Sequence, residues 1–132
     1  MIFLHLIFGI ILGIITQNYF YAILGTIIAD IDHIYILIKN KLFTLKRIID
    51  SMKYEEKYNI KYKTPIMHSI SGLIIFSFPV FLIDRISGIV FAIGYLSHLI
   101  LDLPDIDEKY LLYPLNINLE VFYQSGLGKS KL

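Results

Sequence analysis

The stretch Gly94-Tyr-Leu-Ser-His98-Leu-Ile-Leu-Asp102 decides the fold, because it places a histidine and a carboxylate four residues apart inside an apolar run. Residues four apart lie on the same face of a helix, one turn from each other. His98 and Asp102 are therefore expected to point toward one spot. Imidazole nitrogen and carboxylate oxygen are ligands that zinc, manganese and iron accept. The pair predicts one corner of a metal site, and a buried His–Asp hydrogen bond without metal is the alternative.

The composition around this stretch indicates a membrane protein of one domain. Of the 132 residues, 56% are hydrophobic, which exceeds the roughly 45–50% apolar content of soluble domains. Twelve basic residues nearly balance eleven acidic ones, so we expect no nucleic-acid partner. Cysteine is absent, which excludes disulfides and thiolate metal sites. A metal would have to be held by His, Asp, Glu or water.

Four apolar segments predict an all-α, multi-pass membrane bundle of about four transmembrane helices. The segments are residues 2–15, 19–38, 65–83 and 86–103. A spanning helix needs about 20 apolar residues, so the last three qualify and the first is short. The connections Gln17-Asn18 and Asp84-Arg85 are so brief that each predicts a helical hairpin. We expect a membrane-embedded domain over residues 1–115 and a C-terminal tail over residues 116–132.

Residues 39–64 form a basic loop between the two hairpins. The loop holds eight of the twelve basic residues, so the positive-inside rule predicts that it and both chain termini are cytoplasmic, at the inner membrane. Apolar residues recur within it at helical spacing: Leu42, Leu45, Ile48, Ile49 and Met52. This pattern predicts an amphipathic helix on the membrane surface that binds anionic lipid. A soluble protein partner for the basic helix is the alternative.

Ionisable residues accumulate inside the apolar segments. Each segment contains one histidine, and three aspartates accompany them: His5, Asp30, Asp32, His33, His68, His98 and Asp102. Each such residue costs roughly 2.5–3.5 kcal/mol at the bilayer centre, so a set of seven indicates a shared purpose. The predicted topology places them near one membrane depth. Glycine and alanine at four-residue steps from the histidines predict that these faces pack closely together.

The expected cluster favours a divalent metal, because neutral imidazoles with ionised carboxylates need a cation in a low-dielectric site. We expect His98, Asp102, His68 and Asp30 as ligands with His5 beside them, and zinc as the metal, with manganese or iron as alternatives. On a regular helix Asp30 shares a face with His33, whereas Asp32 diverges from Asp30 by roughly 200°. Asp32 and His33 are the expected catalytic residues, as general base or secondary ligands.

Several motifs resemble the YdjM-like family of LexA-binding, inner-membrane-associated, metal-dependent hydrolases. The matching blocks are Asp30-Ile-Asp-His33, His68-Ser69, Gly94-Tyr-Leu-Ser-His98-x-x-x-Asp102 and Tyr113-Pro114, preceded by one histidine near the start. The resemblance covers about residues 1–115. It implies a multi-pass membrane protein whose hydrolase site is carried by the seven histidines and aspartates named above.

The order of the ligands is also similar to that in zinc-dependent phospholipase C and its related nucleases. The chain departs from that pattern at Ala29, where a proline is usual, and at Lys61 to Lys63, where an Arg-Gly pair often stands. Lys61 or Lys63 could replace the arginine as a point charge for phosphate. We therefore expect a hydrolase of phosphate esters, lipid-linked ones included, that uses a metal-activated water. An ion or metal carrier, and a membrane scaffold with the polar residues as interhelical contacts, are the alternatives.

Overall fold

The computed structural model describes residues 2–103 and 111–114, and this part of the chain is helical and contains no strand. The helices are α1 (Ile2–Thr16), α2 (Tyr19–Ile27), α3 (Ile31–Lys39), α4 (Leu45–Lys53), α5 (Glu55–Tyr58), α6 (Ile70–Ile83) and α7 (Arg85–Leu101). A 3-10 turn, Ile28–Asp30, joins α2 to α3. The predicted all-α class is confirmed. The predicted C-terminal tail, residues 116–132, lies outside the described residues.

Among the described helices, one continuous stretch is long and apolar enough to cross a membrane. It is Tyr19–Lys39, a run of 21 residues formed by α2, the 3-10 turn and α3. The apolar helices Phe3–Thr16, Ile70–Ile83 and Arg85–Leu101 have between 10 and 17 residues, which is short of the about 20 that a perpendicular span needs. Helix length by itself therefore supports one span rather than the predicted four.

The predicted third apolar segment is shorter as a helix than its sequence indicates. Helix α6 begins at Ile70, not at residue 65, because the Ser69 hydroxyl caps it by accepting a hydrogen bond from the Gly72 backbone N–H at 3.1 Å. Serine is a favoured N-cap because it satisfies an N–H that has no partner within the helix. His68 consequently lies in the turn before α6 rather than at its first position.

Helices α2 and α7 form the centre of the bundle, with α1 packed on α2 and α6 packed on α7. These pairs confirm the two predicted hairpins. The buried core consists of Ala29, Phe91, Tyr95 and Leu99. Glycine at 25 is required where the helices cross, because a Cβ there would collide with the backbone carbonyl oxygen of Phe91. A Cβ at Gly94 would lie 2.8 Å from the Ala22 carbonyl oxygen, so the predicted close approach is confirmed at this crossing.

The two short interhelical connections meet at one end of the bundle, which we call the hairpin end. Asn18 donates from Nδ2 to the Ser87 hydroxyl at 2.9 Å, which links the α1–α2 connection to the start of α7. Asp84 caps α7 by accepting from the Ser87 backbone N–H at 2.8 Å. Hydrogen bonds from Ser87 hold the pKa of the Asp84 carboxyl below its ordinary value. The opposite end, which we call the histidine end, contains the predicted site residues.

The basic loop forms a small helical unit with a core of its own. Leu42, Ile60 and Tyr62 are buried together, and Ile48 of α4 packs against them. The predicted amphipathic helix corresponds to α4, but Leu42 precedes the helix instead of lying on it. Leu42 is held in that position because its backbone N–H donates to the Leu37 carbonyl at 2.9 Å, which ends α3.

Candidate metal centre

Four separate parts of the chain bring the seven predicted site residues to the histidine end. His5 lies near the start of α1, and His68 lies in the turn before α6. Asp30 ends the 3-10 turn, which places Asp32 and His33 in the first turn of α3. His98 lies near the end of α7, and Asp102 is its C-cap residue. Antiparallel helices that begin and end at the same level therefore collect these side chains at one place.

Asp102 connects three histidines from different parts of the chain. Its Oδ1 lies 3.3 Å from His5 Nε2. Its Oδ2 lies 3.5 Å from His68 Nε2 and 3.6 Å from His98 Nε2. The last pair is the four-residue spacing from which a shared helix face was predicted. Asp102 therefore stands at the centre of the cluster.

His98 is oriented by a backbone group of the neighbouring helix. Its Nδ1–H donates to the Thr26 carbonyl oxygen at 2.8 Å, because a carbonyl can only accept. In the neutral ring this bond leaves the lone pair on Nε2. No described residue forms a hydrogen bond with His98 Nε2, although the side chain is fully buried. Metal-bound histidines are held in this way, with the second ring nitrogen donating to a carbonyl or carboxylate.

Asp32 binds protein groups on both of its oxygens. Oδ1 accepts from His33 Nδ1 at 2.7 Å, and Oδ2 accepts from the Thr64 backbone N–H at 2.8 Å and lies 3.2 Å from His68 Nδ1. The carboxylate is almost fully buried. Asp32 therefore orients His33 and fixes residue 64 beside the cluster.

The predicted pairing of Asp30 with His33 is reversed in the structure. His33 Nδ1 lies 3.7 Å from Asp30 Oδ1 but 2.7 Å from Asp32 Oδ1. The prediction assumed a regular α-helix through these residues, whereas Ile28–Asp30 is a 3-10 turn with tighter geometry. Asp30 is instead grouped with His68 and His98.

Among the residues that the structure describes, two sets of three side chains have the geometry to hold a metal ion. They are His5, His98 and Asp102, and Asp30, His68 and His98. Within each set the ligand atoms lie within 4.8 Å of one another. His98 is common to both, and its ring stacks on His5 with centroids 4.0 Å apart. The donor set is imidazole and carboxylate, which suits zinc, manganese or iron.

Within the described part of the chain, several buried polar atoms of the cluster lack hydrogen-bond partners, and a cation would bind one nitrogen of a histidine ring. The atoms are His5 Nδ1, Asp30 Oδ2, His68 Nδ1, His68 Nε2 and His98 Nε2. Each unsatisfied buried polar group costs roughly 1–3 kcal/mol. A cation supplied from outside the chain is the simplest partner for several nitrogens and carboxylate oxygens that face each other. The residues present therefore fit a metal.

The charges of the cluster also favour a bound cation. Lys63 Nζ lies 3.3 Å from Asp102 Oδ2. For these described groups alone, three aspartates and one ammonium group leave an excess of two negative charges when the imidazoles are neutral. Uncompensated charge is costly in a low-dielectric site. A divalent cation balances the excess.

Sequence reasoning did not find two of the groups that shape the site. The Thr26 carbonyl is a backbone acceptor, so its role cannot be predicted from the type of residue at this position. The Thr64 bonds to Asp32 depend on how the basic loop returns to the bundle, and no spacing in the sequence reports that path. Lys63 was expected to steer a substrate, and its contact with Asp102 was not foreseen.

A family model described as YdjM inner membrane protein matches residues 1–127 of the chain. Since the match covers nearly the whole sequence, the chain belongs to this family. No curated protein and no solved structure matches the chain. The family confirms the predicted resemblance and the association with the inner membrane and its lipid bilayer. Binding of LexA and hydrolase activity stay predictions.

Proposed function

We propose that this member of the YdjM family is an integral membrane, metal-dependent hydrolase of phosphate esters, including lipid-linked ones. The observation that carries the proposal is the convergence of four histidines and three aspartates at one end of the bundle. Several of their buried nitrogens have no hydrogen-bond partner among the described residues. Burial of such a set is costly unless something binds it.

In the proposed topology, α1, the stretch Tyr19–Lys39, α6 and α7 are all embedded in the membrane, with the basic loop and both termini in the cytoplasm. Helices α1 and α6 contain no Asp, Glu, Lys or Arg. Eight of the twelve basic residues lie in the loop, as the positive-inside rule requires of a cytoplasmic segment. The histidine end, from which this loop emerges, then faces the cytoplasm.

His98, Asp102, His68, Asp30 and His5 are the proposed metal ligands, with zinc as the first choice of metal. When bound there, a divalent cation supplies Lewis-acid activation of a water molecule near neutral pH. The chain contributes the geometry. The Thr26 carbonyl holds His98 in one tautomer, and Asp102 holds the histidines of α1, α7 and the turn before α6 at fixed separations.

His33 is the proposed general base, and Lys63 is the proposed contact for the substrate phosphate. Because His33 Nδ1 donates to Asp32, the neutral ring has Nε2 as its basic nitrogen, which is how a carboxylate positions a catalytic histidine. The His33 side chain is 22% exposed and that of Lys63 is 19% exposed, so both are accessible at the edge of the cluster. An ammonium group serves phosphate as a point charge.

The proposal is tested by phosphate release from para-nitrophenyl phosphate and phosphatidic acid, using full-length protein in nanodiscs with zinc, manganese or a chelator. We expect turnover that the chelator abolishes. In the His33→Ala variant we expect a loss of roughly 10²–10⁴-fold with metal still bound, the usual contribution of a general base. Asn18→Ala, at the hairpin end, is the matched control and should retain activity.

Bound metal without phosphate release from either substrate would contradict the hydrolase. If vesicles containing the protein then accumulated the metal, the result would support the alternative function, an ion or metal carrier.

A further inference from the structure

Helix α4 differs from the apolar helices of the bundle because four of its nine residues are charged. One side of α4 is attached to the protein. Ser51 is fully buried and shares a hydrogen bond with the Tyr62 hydroxyl. Ile48 packs against the core that Tyr62 shares with Leu42 and Ile60. The rotation of α4 about its own axis is thereby fixed.

The side of α4 next to this attached, inner side carries an exposed apolar stripe, which we call the outer stripe and define as Leu45, Ile49 and Met52. These side chains are 73%, 55% and 46% exposed. Their spacing of four and three residues places them on one side of the helix. Phe43 and Tyr54, which lie before and after α4, are exposed as well. Because Ser51 and Ile48 fix the inner side, the helix cannot rotate to bury the stripe.

Basic side chains flank the outer stripe. Lys46 and Lys53 are seven residues apart and therefore lie along the same edge of α4, about 100° from Leu45. An apolar stripe with lysines beside it is the pattern of helices that lie in the headgroup layer. Each lysine near an anionic surface contributes on the order of 1 kcal/mol.

The chain keeps α4 close to a membrane. Five residues, 40 to 44, separate the end of α3 from the start of α4, and five residues span at most roughly 18 Å. Helix α3 forms the last part of the stretch that is long enough to cross a bilayer. A surface that is apolar at its centre, basic at its edge and tethered this closely fits the lipid interface better than a soluble partner.

We propose that the outer stripe of α4 is a membrane-docking surface that inserts into the headgroup layer of an anionic phospholipid bilayer. Lys46 and Lys53 contact the lipid phosphates, while the inner side of α4 stays attached to Tyr62. The proposal concerns a surface outside the metal centre and does not depend on the proposed catalysis.

The absence of tryptophan from the chain provides a direct test. The variants Leu45→Trp and Arg47→Trp each introduce one fluorophore. The first lies on the outer stripe, and the second lies on a side of α4 well away from the stripe. Full-length protein is placed in nanodiscs of phosphatidylcholine and phosphatidylglycerol with brominated acyl chains, in the presence of a chelator. We expect quenching of the Leu45→Trp indole to exceed that of Arg47→Trp at least twofold. Adding Lys46→Gln and Lys53→Gln to Leu45→Trp should reduce the quenching. Nanodiscs that contain brominated phosphatidylcholine without phosphatidylglycerol should reduce it as well.

Equal quenching of the two variants would overturn the proposal. So would an indole at Leu45→Trp that emits in the blue but is not quenched, because protein, such as a second copy of the chain, would then cover the stripe. If the quenching changed neither with the lysine substitutions nor with the lipid charge, the proposed preference for anionic lipid would be wrong. Circular dichroism and gel filtration establish that both tryptophan variants are folded.

Discussion

The two ends of the helical bundle differ in how their polar side chains find hydrogen-bond partners. At the hairpin end, Asn18 donates to Ser87, and Asp84 accepts from the backbone of Ser87. At the histidine end, ring nitrogens of His5, His68 and His98 are buried without a hydrogen-bond partner. Among the described residues, Ser77 is the one unpartnered buried side chain outside the histidine end.

This difference separates polar residues that hold helices together from polar residues that bind something else. Interhelical contacts need donors matched to acceptors, and the Asn18–Ser87 bond is such a match. The histidine end combines four imidazoles with three carboxylates, and the Lys63 ammonium group beside Asp102 offsets only one of the three negative charges. The hairpin end therefore serves as an internal control for the metal centre, since the same helices form both.

The largest effect on stability is expected where α2 crosses α7. In Gly25→Ala the new methyl group meets the backbone carbonyl of Phe91, and such overpacking costs about 1–3 kcal/mol. The change also moves Thr26 relative to His98, so we expect a 10–100-fold loss of zinc affinity, as for other groups that orient a metal ligand. Thermal unfolding and zinc titration of detergent-purified protein measure the two effects.

Gly88→Ala is the control for this prediction, because a Cβ there collides with the backbone of Phe81 near the hairpin end. It should lower stability to a similar degree while zinc affinity changes little. Equal losses of affinity in the two variants would show that the two ends are not independent.

A smaller effect is expected from the cap of α6. Ser69 is fully buried, accepts from the Gly72 N–H and donates to the Ile66 carbonyl at 2.9 Å. Ser69→Ala should cost about 1 kcal/mol of stability, the usual value for an N-cap. Because His68 precedes the cap, zinc affinity should fall as well. Ser97→Ala removes a hydroxyl that bonds within α7 and should lower stability and zinc affinity less than Ser69→Ala does. A larger effect of Ser97→Ala would contradict the role of Ser69 as the cap that positions His68.

The smallest effect concerns Asp84 at the hairpin end and depends on pH. Its pKa is lowered in the folded protein by hydrogen bonds from Ser87, so the stabilisation is present above the ordinary carboxyl pKa. It is lost as the pH falls through the folded value. Asp84→Ala should therefore lower the melting temperature at pH 7, and the difference from the parent should shrink in acid. Metal content should not change, and a difference that grew in acid would have the wrong sign.

The sequence was sufficient for the all-α class, the two hairpins and the membership of the cluster, because helical spacing and the cost of charge in apolar segments are local properties. His98 and Asp102 share a face for that reason, and Gly25 and Gly94 mark the crossing. The start of α6 was misplaced because the predicted apolar segment begins at residue 65, whereas the Ser69 cap shows that the helix begins at Ile70. The contact of Asp32 with Thr64 depends on the path of the basic loop over residues 39–64, which no local pattern specifies.

Metal content tests the central claim, that the histidine end holds a divalent cation, most directly. Inductively coupled plasma mass spectrometry is applied to three detergent-purified proteins: the parent, His98→Ala/Asp102→Ala, and Asn18→Ala/Ser87→Ala as the hairpin-end control. We expect about one or two equivalents of zinc, manganese or iron in the parent and the control, and none in the first variant, with helical content retained in all three. The absence of metal from the parent, or equal metal in all three, would contradict the account.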